Sequence, residues 1–147
     1  MLQRGVVVIA VIGLVALLGG CGGGDDEASL TKAEFIKQGD AICAEAEEKK
    51  NAALEKAFQK KENQSSQKAV QERLVTEVAL PPVATMAEEL ADLGAPDDQA
   101  SAIVEGYEEA VEEIEADPAA AVASEEGPFK EPNELAADYG FKECSQV

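Results

Sequence analysis

Apolar and polar positions fall into two regimes along the chain. Residues 5–18 (GVVVIAVIGLVALL) form an apolar run without charge, whereas from residue 30 onward apolar residues recur every three or four positions with Glu, Lys, Asp and Gln between them. That spacing places apolar side chains on one face of an α-helix. No run alternates with period two, and the few β-branched residues fall on the helical stripes. Strands are therefore not expected.

The helices have legible ends. Thr31 is an N-cap whose capping box is completed by Glu34, and Leu30 and Phe35 form the hydrophobic staple around it. Phe35, Ile36, Ile42, Cys43, Ala46, Ala53, Leu54, Ala57 and Phe58 then make the apolar stripe of a long first helix, predicted over 32–61. Glu45, Glu47, Glu48, Lys49 and Lys50 lie on its wet side, where pairs one turn apart add only tenths of a kcal/mol. A polar break at residues 63–66 (NQSS) precedes a second helix carrying Val70, Leu74, Val75 and Val78.

Pro81 and Pro82 interrupt that second helix. They remove backbone donors, and Leu80, standing before a proline, is expected to be pushed out of the helical region. Helix resumes through Val83, Met86, Ala87, Leu90 and Leu93 and stops at Gly94 before Ala95-Pro96. The segment reads either as one kinked helix or as two helices, the later one starting on a proline. A third helix follows Pro96-Asp97-Asp98, whose carboxylates suit its positive end. Its stripe is Ala100, Ile103, Val104, Tyr107, Val111 and Ile114, and its other face is Glu105, Glu108, Glu109, Glu112, Glu113 and Glu115. Asp117-Pro118 ends it, residues 118–123 suggest one further short turn, and residues 125–132 read as a loop. A last helix over about 132–139 is stopped by Gly140, after which Phe141 and Cys144 return to the core. The expected fold is all-α: a small bundle of about four helices with a long first helix and a proline-kinked second one.

The N-terminal run is a different device. At about 14 residues it is short of the ~20 needed to span a bilayer, and it follows an n-region whose one cation is Arg4. Behind it stand Leu18, Gly19, Gly20 and Cys21, an aliphatic residue, two small ones and a cysteine. This stretch resembles the lipobox of bacterial lipoprotein signals. By that resemblance the Cys21 thiol receives a diacylglycerol and cleavage makes Cys21 the new first residue, so that release from the membrane is slow at about 0.8 kcal/mol per buried methylene. Two other readings stay open: an ordinary small-x-small secretory site, or a short anchor left uncleaved. The expected organisation is a signal peptide over 1–20, a flexible acidic tether over 21–29 and a helical extracytoplasmic domain over 30–147.

Charge narrows the partners. The chain carries a formal charge of −18, and losing residues 1–20 removes Arg4 and no acid, leaving −19. Such a surface repels nucleic acid and anionic head groups. Aromatics are few, with no Trp, so the core must be built mostly of Ala, Val, Leu and Ile. Assigning Cys21 to lipid leaves Cys43 and Cys144 as a pair that would bridge in an oxidising compartment. The alternative is two free buried thiols.

The chain resembles small lipoproteins of actinobacterial envelopes, a group without an assigned activity. The likeness lies in Phe35-x6-Ile42-Cys43, in Leu90-x2-Leu93-Gly94-Ala95-Pro96 and in Tyr139-Gly140-Phe141-x2-Cys144. It implies a disulfide-clamped helical domain and carries over no catalytic residue.

The residues themselves assign no chemistry. Histidine is absent, which removes the commonest general base and metal ligand. No phosphate-cradling glycine loop, nucleophile elbow or EF-hand spacing occurs. Glutamates such as Glu108 and Glu112, one turn apart, share one exposed environment, whereas an acid/base pair needs two different ones. The acidic face also lacks the loop geometry of a selective Ca2+ site, so no metal and no cofactor is assigned. Tyr107 and Tyr139, with Pro81 and Pro82 at the kink, are the candidates for lining a ligand cleft; the alternative is that both tyrosines are packing residues. The sequence reading is therefore a lipid-anchored, non-enzymatic envelope interaction module, with a small-molecule or lipid carrier as the alternative.

Overall fold

The computed structural model describes residues 30–59, 67–124 and 126–147. Leu18, Gly19, Gly20, Cys21, the tether and the break at 63–66 lie outside the described residues. Among the described residues there is no strand, and the helices form one all-α bundle.

The first helix, α1 (Lys32–Gln59), begins as its sequence dictates. The Thr31 N–H donates to Glu34 Oε2 at 3.0 Å, and the Glu34 N–H donates back to Thr31 Oγ1 at 3.3 Å, closing the capping box. The hydroxyl of Thr31 also holds the Glu34 carboxyl below its usual pKa. Phe35, Gly39, Cys43 and Ala46 are buried along one face. Beyond Ala46 the expected stripe is not core: Ala53, Leu54 and Ala57 are half-exposed and Phe58 is 71% exposed. At 1.5 Å per residue α1 is roughly 40 Å long, and its buried residues all lie between Phe35 and Ala46.

That second helix is α2 (Gln67–Arg73) and α3 (Leu80–Asp92), joined without a break by a π turn at Leu74–Ala79. Widening the turn reconciles the prolines with a continuous helix. The Leu80 N–H reaches back five residues to the Val75 carbonyl, so Pro81 and Pro82 become first-turn residues of a fresh α segment, where no N–H is required. Leu80 itself, expected outside the helical region, stays helical at φ −66°, ψ −43°. Its burial in the core offsets the local preference against a helical residue before proline.

The third predicted helix is α4 (Asp98–Ala116), capped by Asp97, whose Oδ1 accepts the Ala100 N–H at 2.9 Å. Ala100, Ile103, Val104, Tyr107, Ala110, Val111 and Ile114 are its buried face. Asp117 then caps the short α5 (Pro118–Ala123) in the same way, through the Ala120 N–H at 3.0 Å. The last helix, α6 (Lys130–Tyr139), starts inside the stretch expected to be loop, because Pro132 falls in its first turn, where its missing N–H costs nothing. Gly140, at φ +116°, ends α6 in a Schellman motif: its N–H and that of Phe141 return to the carbonyls of Ala137 and Ala136.

One core unites these elements. Phe35, Met86, Leu90, Ile103 and Tyr107 are its largest fully buried side chains, contributed by α1, α3 and α4. Phe141 enters from behind α6 and fits edge-on to Phe35 at 5.7 Å and stacked on Tyr139 at 5.8 Å. Cys43 and Cys144 stand at bonding distance with Cα atoms 5.0 Å apart, the bridged alternative of the two that the cysteine count allowed.

Candidate functional site

Among the described residues no buried side-chain nitrogen or oxygen lacks a hydrogen-bond partner. The Tyr107 hydroxyl donates to the Cys144 carbonyl, with Asn133 Oδ1 3.1 Å from the same hydroxyl. Asn133 in turn donates through Nδ2 to the Val147 backbone oxygen at 2.9 Å. Burial raises the Tyr107 pKa, and the charge of Asp40 raises it further. Tyr139 donates to Asp97 Oδ2 at 2.9 Å, while Lys32 Nζ sits 3.7 Å over the Tyr139 ring. Burial, then the hydrogen bond to Asp97 and its charge, push the Tyr139 pKa up to about 12. Asp97 is held below its ordinary value chiefly by the Ala100 N–H, which outweighs the opposing effect of burial, with the Tyr139 hydroxyl and the Lys32 charge adding to it.

A third group, Asp40 on α1, works across the fold. Its Oδ1 accepts the backbone N–H groups of Lys142 and Glu143, both at 2.9 Å, and of Cys144 at 3.4 Å. It therefore caps the 3-10 turn Cys144–Gln146 from another helix, beside the disulfide. These are structural assignments. Tyr107, 0% exposed, and Tyr139, 4% exposed, lie in the core and do not meet the prolines at a common cleft.

A concavity is present elsewhere. Where the π turn approaches the end of α4, a cleft of about 290 Å³ opens between Val75, Ala79, Leu80 and Val83 on one side and Ile114 and Phe129 on the other, with Lys50 of α1 also in its wall. Pro81 and Pro82 are next to this cleft in sequence but are not part of its lining; Pro81 faces solvent. Phe129 packs against Tyr107 at 6.4 Å, so the tyrosine supports one wall from behind without reaching the cleft. The sequence singled out the proline kink but missed the residues around it. Val75 and Ile114 read as ordinary stripe positions, Lys50 as solvated surface and Phe129 as loop. No local signal marks them as neighbours.

A second, polar groove runs between α4 and the start of α6. Glu105, Glu109 and Glu113 stand along it, Glu131 faces them from α6, and Leu135, 39% exposed, lies among them in a space of about 260 Å³. Among the described residues no group of acids is arranged to hold a metal ion. No helix among them is long and apolar enough to cross a membrane. The chain matches no protein-family model, no curated protein and no solved structure.

Proposed function

We propose that this chain is a membrane-anchored extracytoplasmic lipoprotein whose helical domain is a non-enzymatic binding module, with the cleft beside the π turn as its ligand site. The observation that carries the reading is that cleft: a concave surface walled by Val75, Leu80, Val83, Ile114 and Phe129. Concave, mostly apolar sites with one or two polar groups are what small ligands occupy. The hydroxyls of Tyr107 and Tyr139 and the carboxylates of Asp40 and Asp97 are engaged in caps and hydrogen bonds. The cleft supports a small-molecule or lipid carrier over a protein-interaction module. The interaction reading is favoured separately by the acidic groove with Leu135 at its centre, which fits a basic, partly apolar partner.

Anchoring and binding are tested together on the full chain expressed in a lipoprotein-processing bacterium. Wild-type protein is expected in the membrane fraction with a diacylglyceryl mass on Cys21, and Cys21→Ala is expected to accumulate as precursor. Normal processing of Cys21→Ala overturns the anchor. A native mass spectrum of the wild type should carry a co-purifying small molecule that an Ala79→Phe change, filling the cleft, displaces. Identical adducts on both proteins would remove the cleft from the proposal.

A further inference from the structure

Val147 lines the cleft beside the π turn, and it follows directly on the 3-10 turn Cys144–Gln146. That turn is braced within itself: Ser145 Oγ donates to the Lys142 carbonyl at 2.8 Å and the Gln146 N–H to the Glu143 carbonyl at 3.0 Å. Two ties fix where it sits. Cys144 is bridged to Cys43 on α1, and Asn133 on α6 donates to the Val147 backbone oxygen at 2.9 Å. The Cys144 carbonyl also accepts the Tyr107 hydroxyl, and Tyr107 packs against Phe129, another wall of the cleft. One wall residue is therefore anchored through the disulfide, and a second leans on a tyrosine bonded to the same turn.

Burial makes access to the bridge and movement of the wall one event. Cys43 is 1% exposed and Cys144 0% exposed, so a thiolate meets neither sulfur while the turn is seated. We propose that ligand binding in the cleft is coupled to the Cys43–Cys144 bridge: the bridged turn holds Val147 in the wall, and reduction by a dithiol frees the turn and weakens binding. In that step a thiolate of the dithiol attacks one sulfur as the turn lifts, the Sγ–Sγ bond breaks to a mixed disulfide, and the second thiol resolves it. Two electrons and two protons pass to the cysteines, and the dithiol leaves as a disulfide. The inference rests on the binding reading above and adds the regulation of that site. Coupling of this kind is reciprocal, so a ligand that holds Val147 in place protects the bridge by the same factor.

The experiment uses the full chain in phosphatidylcholine nanodiscs and one uncharged probe, a decyl alcohol carrying a diazirine. Cross-linked peptides are mapped by mass spectrometry, and the probe concentration for half-maximal labelling of the segment from Val75 to Val83 is read. Oxidised wild type is expected to label there; labelling that avoids the cleft overturns the binding reading itself. Cys43→Ser with Cys144→Ser should need about tenfold more probe, the size of an ordinary coupling between two sites. Asn133→Ala, which keeps the bridge and drops the bond to Val147, should shift in the same direction, whereas Thr31→Ala, which loosens only the capping box of α1, should match wild type. Equal labelling of wild type and the serine variant overturns the coupling and leaves the cleft as a binding site. An equal shift in Thr31→Ala overturns it too, since lost stability alone then accounts for the effect. A second measurement on wild type needs no variant: with the cleft saturated, the ratio of reduced to oxidised dithiothreitol that half-reduces the bridge should rise about tenfold. A ratio unmoved by the probe overturns the coupling even if the serine variant fails to fold.

Discussion

Asp40 Oδ1 accepts the backbone N–H of Glu143 at 2.9 Å, across a separation of 103 residues. With the N–H groups of Lys142 and Cys144 on the same carboxylate, this bond ties the first half of α1 to the 3-10 turn at Cys144–Gln146. Asp40→Ala leaves those donors to water, with an expected loss of about 1–2 kcal/mol. Asp40→Asn, which keeps one acceptor oxygen but no charge, should fall between. Urea unfolding of the three proteins gives the order, and an Asp40→Ala midpoint equal to wild type would show that the cap adds nothing.

Cys43 and Cys144 clamp the same two segments, 101 residues apart in sequence. Closing a loop of that size removes unfolded-state entropy equivalent to up to ~4.7 kcal/mol. Cys43→Ser with Cys144→Ser should therefore melt well below the oxidised wild type, and reductant should move the wild type toward the variant. Because Asp40 restrains the same turn, adding Asp40→Ala to the cysteine variant should cost a different amount than it does alone. Strict additivity in that double-mutant cycle would mean the two ties act independently.

Gly39 is a point of close approach between α1 and the core. A Cβ built there would stand 2.6 Å from Phe141 Cε1 and 3.1 Å from Leu90 Cδ2. Phe141 has no room to withdraw, since Phe35 and Tyr139 flank it at 5.7 and 5.8 Å. Gly39→Ala is expected to destabilise by about 1–3 kcal/mol through overpacking, even though alanine is the better helix former by roughly 1 kcal/mol. Combining it with Phe141→Leu should recover part of the loss. A stabilised Gly39→Ala protein is the result that would contradict this packing.

The two tyrosines should make alkaline stability steep. Tyr139 has a pKa of about 12 in the fold, and Tyr107 is raised as well, each chiefly by burial. The unfolded value is about 10, so the stabilisation is complete below pH ~10 and is lost as pH rises from there through the folded values. At about pH 11 the native protein should show little phenolate absorbance while the urea-unfolded chain shows most of it. A native titration with its midpoint near pH 10 would place the hydroxyls in water.

Much of the fold was readable because its determinants are local. The Thr31–Glu34 box, the Asp97 cap, the stop at Gly140 and the stripe from Ala100 to Ile114 each depend on residues within a few positions of one another. Hydrogen bonds to the nearest free N–H and apolar spacing along one helix are decided there. The apolar run at residues 5–18 and Cys21 behind it are likewise a contiguous pattern.

What remained hidden depends on which distant segments become neighbours. Ala46 and Phe58 carry the same sequence signal on the same helix, yet one is core and the other faces solvent, and the fully buried face of α1 ends at Ala46. Asp40 looks like any acid on a wet face until the chain's last turn is brought over it. Pro81 and Pro82 announce an interruption, but burial of Leu80 decided that a π turn would absorb it. The cleft follows from that turn lying near the end of α4, with Lys50 of α1 in its wall. Sequence alone determined where helices start and stop, since that is a short-range balance of caps and propensities. Tertiary structure decided burial, the remote cap and the cleft, since each is a relation between surfaces that no single segment contains.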